Sequence, residues 1–190
     1  MQYVRGDVDT LVKPVTFEAK VLENTTLPAP DRSELVAFQG KASKLYKAMR
    51  GAQEFTEDMN ERLQYIKQAI QNTPGASMEL MAKAENTQKA IDDIMWKFKG
   101  KDPKASREEN PPAEQPLNQR LNDMVWSHWG STAGITETEK QQYEILSEEF
   151  PPVLDEIKKV YKEDILELEK ALDEMDAPWT PGRIPDWEKE

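Results

Sequence analysis

The side chains best equipped for chemistry in this chain are carboxylates. Glu148, Glu149, Asp155, Glu156, Glu163, Asp164, Glu167, Glu169, Asp173 and Glu174 crowd its last third. Two acids facing each other across a concave site, about 5–9.5 Å apart, would suit glycoside hydrolysis. Read as a helix, however, the stretch leaves most of these acids off the apolar seam. They interleave with Lys158, Lys159, Lys162 and Lys170, as a solvated face with pairs such as Asp155–Lys159 does. A di-iron bundle needs Glu-x-x-His on two helices. His128 is the one histidine, and that motif does not occur. With no cysteine there is no thiol nucleophile, no cysteine–zinc site and no disulfide framework. A phosphate-cradling Gly-rich loop, a nucleophile elbow and a twelve-residue calcium loop are also absent from the sequence. No catalytic, cofactor-binding or metal-ligating residue is assigned, and an enzyme is not expected.

Charge narrows the partners. The 190 residues carry 25 Lys and Arg against 36 Asp and Glu, a net charge of -11. A surface this acidic repels nucleic acid and anionic membrane. No apolar run reaches the roughly 18 residues of a membrane span. The N-terminal residues lack the charged-then-apolar pattern of a signal peptide; they read as the middle of a β-region.

Helices must position whatever this chain does. Leu35, Phe38, Ala42, Leu45, Met49, Ala52, Met59, Leu63, Ile66 and Ile70 recur in steps of three and four, with one miss at Thr56 beside Phe55. Asp31, with Glu34 three residues on, predicts the N-cap. A helix of roughly 40 residues is about 60 Å long, so the rest of the chain must fold back along it. Asn72-Thr-Pro-Gly75 breaks it. A second helix begins near Ser77, with a seam through Leu80, Ala84, Thr87, Ile91, Ile94 and Phe98, and ends at Gly100. Residues 99–116 read as a linker whose Lys99, Lys101, Lys104 and Arg107 keep it wet. Pro116 suits the first turn of a third helix with Leu117, Leu121, Met124, Val125 and His128 inward. Thr136 with Glu139 spells a capping box. The last helix then carries Tyr143, Leu146, Phe150, Val153, Ile157, Tyr161, Ile165, Leu168, Leu172 and Met175 on its seam. Pro151 and Pro152 predict a kink, or two helices meeting at Phe150.

Three segments follow. Residues 1–30 hold the end of a β-module and a Pro-rich connector. Val15, Phe17 and Ala19 alternate with polar residues as a strand does, and Val21 and Leu22 follow. Residues 31–176 form the bundle, and residues 177–190 a Pro/Trp-rich tail. The fold class is mainly α, an antiparallel three- to four-helix bundle with long helices and a short N-terminal β-strand remnant. The candidate interface residues are Trp126, Trp129, Trp179 and Trp187, with Gly40 and Gly51. Trp126 and Trp129 read as core or domain-interface rings, and Trp179 and Trp187 as a clamp for the tail. Gly40 and Gly51 mark either tolerated surface or the close approach of another backbone.

Several stretches together resemble one family. They are Leu45-Tyr-Lys-Ala-Met-Arg-Gly-Ala52, Asn60-Glu-Arg-Leu-Gln-Tyr-Ile-Lys67, Asn72-Thr-Pro-Gly75, Trp129-Gly-Ser-Thr132, Thr136-Glu-Thr-Glu-Lys-Gln-Gln-Tyr143 and Ala177-Pro-Trp-Thr-Pro-Gly-Arg183. The order is similar to the C-terminal helical region of bacterial sortilin-like, BNR-repeat β-propeller proteins, often labelled glycosyl hydrolases. The resemblance implies a non-catalytic module of a secreted or cell-envelope protein. Its partners would be an upstream β-propeller or β-module of the same protein and other envelope proteins. Two alternatives stand beside it: a free-standing helical adaptor or oligomerisation domain, and part of a glycoside hydrolase whose active site lies outside this segment.

Overall fold

The computed structural model describes residues 2–4, 7–9, 13–20, 22, 27–102 and 112–185. The chain is mainly helical: α1 Arg32–Asn72, α2 Met78–Lys99, α3 Leu117–Trp129, α4 Glu137–Lys159, a π turn Val160–Ile165 and α5 Leu166–Glu174. The α4 segment, the π turn and α5 run on without a break as the fourth helix.

Side-chain pairs fix the arrangement. Glu34 meets Lys140 at 3.0 Å, the Phe38 and Tyr143 rings lie 5.7 Å apart, Phe55 and Tyr161 5.2 Å apart, and Arg62 reaches Glu169. Both numbers in these pairs rise together, so α1 and the fourth helix run parallel. The α2 helix runs the other way: Lys99 pairs with Glu57 at 2.7 Å and Lys67 with Glu85 at 3.0 Å. The α3 helix continues in α2's direction, with Asn118 donating to Gln53 at 2.8 Å and Trp129 against Tyr46. Thus α2 and α3, of 22 and 13 residues, lie end to end and cover one side of the 41-residue α1.

The caps follow the sequence. Asp31 accepts from the N–H of Ser33 at 2.8 Å and of Glu34 at 3.2 Å. Ser77 caps α2, and Thr136 with Glu139 forms the reciprocal box at α4. Pro116 sits one place earlier than the first helical turn, as the N-cap of α3. Gly100 (φ 79°) ends α2, and a Cβ there would stand 2.8 Å from the Pro116 ring, so only glycine lets the two helices meet.

Four expectations are corrected. The bundle is not antiparallel throughout, because α1 and the fourth helix run parallel. Thr56 is no gap in the seam: it is fully buried, and its hydroxyl donates to the Ala52 carbonyl at 2.8 Å, while Phe55 faces outward. No strand forms over the described residues of Val15–Leu22. Residues 13–20 run outside any strand with Val15 and Phe17 exposed, and the described strands are the hairpin Gln2–Val4 with Asp7–Asp9. An alternating strand needs a sheet to cover its apolar row, and no described part of this chain covers that row. Val21 lies outside the described residues, as do Lys104 and Arg107 of the linker. Pro151 and Pro152 do not divide the last helix, which passes through them. Both are exposed, and the buried Phe150 and Val153 anchor the chain on either side. The interruption comes later. Tyr161 is only partly buried, and the buried positions step from Val160 to Ile165.

That step of five explains the π turn. A regular seam after Ile157 and Val160 would next bury Asp164. One extra residue, absorbed as a π bulge, turns Ile165 inward instead and carries Leu168 and Leu172 with it. Asp164 remains partly covered. Burial pushes its carboxyl up, Glu163 and Glu167 add to this, and Lys83 and Lys159 oppose it.

Three outcomes are expected. Deleting exposed Lys162 restores steps of three and four throughout and should give a cooperatively unfolding protein with a Tm close to the parent's in a circular-dichroism melt. Deleting exposed Glu148 turns Phe150, Val153 and Ile157 away from the core and should abolish the cooperative transition. Asp164→Asn should raise Tm at neutral pH. A carboxyl raised in the folded state costs stability once ionised, so the advantage should fade as pH falls through the folded value toward the ordinary 3.8.

Candidate interaction surface

The inner side of α3 carries Leu117, Leu121, Met124 and Val125, all buried. At about 100° per residue Trp126 falls nearly opposite Leu121. Its indole is 73% exposed, and that of Trp129, one turn on, is 63% exposed. Neither is a core ring, which was one of the two readings open to it. Trp129 leans on Tyr46 of α1 with centroids 5.9 Å apart. Trp126, one turn before Trp129 on the outer side of α3, extends this exposed aromatic surface beside the α3–α4 turn. The side chain of His128, between the two tryptophans, lies outside the described residues.

The same end of the bundle receives the N-terminal connector. The Ala29 N–H donates to the Thr132 carbonyl at 3.1 Å, and Pro30 rests against Gly134. Two shallow clefts flank this end. One, of about 280 Å³, has Phe38, Ile135 and Tyr143 with Glu34, Lys41 and Lys140 on its walls. The other, of about 250 Å³, lies between α3 and α4 beside Ser127, Glu139 and Gln142. Among the described residues no three Asp, Glu or His side chains converge as a metal site would require. No described helix is long and apolar enough to cross a membrane.

The tail is held at the opposite end, by arginines. A Schellman turn closes the last helix: Asp176 takes φ 51°, its N–H donates to Asp173, and the Ala177 N–H donates to the Leu172 carbonyl at 3.0 Å. Arg62 grips the buried Glu169 with Nε and Nη2, and Nη2 also donates to the Gly182 carbonyl at 3.2 Å. Burial alone would lower the Arg62 pKa; the hydrogen bonds and charge of Glu169 outweigh it, so the net shift is upward. Gly182 (φ 95°) is needed, because a Cβ there would meet the guanidinium at 2.9 Å. Arg183 binds Asp173 and the Pro178 carbonyl. The Trp179 ring donates to the Arg183 carbonyl at 2.7 Å but stays 59% exposed. Trp187 lies outside the described residues.

Trp126 and Trp129 are therefore brought together, while Trp179 is far from both. Gly40 and Gly51 lie on the outer side of α1, where an added Cβ would meet nothing within 4 Å, so among the described residues no backbone approaches either. Sequence reasoning missed the Arg62–Glu169 pair. Its signal was there: Glu169 directly follows the seam residue Leu168, and so sits at the edge of the buried face.

No family model matches the chain, and no curated protein or solved structure matches it. The resemblance to sortilin-like propeller proteins is withdrawn on that finding, and the hydrolase label with it. The stretches that suggested the family are short runs of amphipathic helix and the Pro- or Gly-containing turns that end helices, patterns that helical proteins share without common ancestry. Export and a propeller partner rested on that resemblance alone.

Arg62→Ala should destabilise the fold by about 3 kcal/mol, because it leaves the Glu169 carboxylate buried without its partner. It should also speed proteolysis within residues 177–185. A urea melt and limited proteolysis read the two effects separately.

Proposed function

We propose that this chain is a non-catalytic structural and interaction module: a helical post that presents an aromatic face at the end where its N-terminal connector docks. The observation that carries this reading is the pair of exposed indoles one turn apart on α3, Trp126 and Trp129, the second resting on Tyr46; among the rings of the helices they are the most exposed. Tryptophan and tyrosine supply much of the binding energy in protein interfaces, since they bury a large area at little entropic cost. Grouped exposed aromatics point to a contact in a way that scattered ones do not.

The test is a photo-crosslinker placed at position 126 or, as a control, at exposed Glu148 of α4. An adduct specific to position 126, and lost in Trp129→Ala, supports the reading. Because both rings are exposed, the W126A/W129A double variant should keep its helical content, with a Tm within a few degrees of the parent. A collapse of the fold would make the indoles structural and end the proposal.

A further inference from the structure

The outer side of α1 carries a second periodic stripe. Gly40, Lys44, Lys47, Gly51, Glu54, Asp58, Glu61 and Tyr65 recur in alternating steps of four and three and are all exposed. At about 100° per residue they fall within a sector of about 100°, turned away from the core seam. Their charges are segregated, with cations in the first half and acids in the second. Among the described residues none of the five charged side chains has an ion-pair partner. The charges at the flanks of α1 do: Glu34 binds Lys140, Glu57 binds Lys99, Arg62 binds Glu169 and Lys67 binds Glu85.

Reversed, the stripe is its own complement. We infer that the outer face of α1 binds a second copy of this chain, antiparallel, about a two-fold axis at the level of Ala52 and Gln53. In that register Lys44 lies opposite Glu61 and Lys47 opposite Asp58, each twice by symmetry. Gly51 faces Glu54, and Gly40 faces the half-exposed Tyr65 ring. Such an isologous contact closes as a dimer. A parallel pairing would set lysine on lysine and acid on acid, and like charges on facing helices choose against it. The glycines fit the contact. Nothing among the described residues occupies the space above them, and the missing side chains let a second helix come close where Glu54 and Tyr65 need room. Charge complementarity is the only large attraction on this face, so the dimer is salt-sensitive.

Sedimentation equilibrium of the full chain in about 20 mM and about 500 mM salt tests this, because exposed ion pairs weaken as the Debye length shrinks. The expected result is a monomer–dimer equilibrium at low salt whose dissociation constant rises at least about tenfold at high salt. K44E/K47E and D58K/E61K should each be monomeric, with unchanged circular dichroism. An equimolar mixture of the two should recover the dimer, since each reversed half then meets its opposite. A chain monomeric in low salt, a dimer surviving in K44E/K47E, or a mixture that stays monomeric overturns the inference. The W126A/W129A variant leaves this stripe intact and should still dimerise, so failure of the aromatic face and failure of the dimer are read apart.

Discussion

Everything in this fold follows from the need to cover one very long apolar seam. The buried side of α1 runs from Phe38 to Ile70, and no helix of ordinary length reaches along it. The chain meets that constraint twice. The fourth helix runs parallel to α1 and covers most of its length in one piece. The α2 and α3 helices cover the remaining side in two pieces, meeting where Gly100 touches Pro116. Each joint then becomes intelligible. The tight Asn72–Gly75 turn reverses the chain, and the capping box at Thr136 starts the long return. The arginine-held tail closes the far end.

Much of this was legible in the sequence, because helix periodicity is a local signal. The caps at Asp31, Ser77 and Thr136 and the seams of α1 and α2 could be read directly. Where the reading slipped, a polar or proline residue was judged by type instead of by position. Thr56 was counted as a miss, yet a hydroxyl that donates to a carbonyl four residues back can be buried at little cost. Trp126 reads from its type alone as a core or a domain-interface ring, although its phase on α3, opposite Leu121, already chooses the outer side. The prolines were given the break that belongs to the slip between Val160 and Ile165. That slip is visible in the sequence once apolar steps are counted, because Asp164 occupies the place the seam should take.

The tertiary pairings were not legible. Nothing local says that Arg62 meets Glu169 across the bundle, or that Gly182 must be glycine because a guanidinium lies against it. The family resemblance failed for a related reason. Fragments of amphipathic helix look alike wherever a core must be met on one side and water on the other, and Pro/Gly turns recur wherever a helix must stop, so their order along a chain reports helix packing before it reports ancestry.

The meeting of α2 with α3 is a joint in the chain but not in the core. The side chains buried beneath α2 and beneath α3 belong to one cluster. The α2 helix also reaches past the joint, where its Lys97 pairs with Glu156 of α4. Loosening α3 would therefore uncover apolar surface that the whole bundle shares, so the helix that bears the aromatic face has no stability of its own to spend.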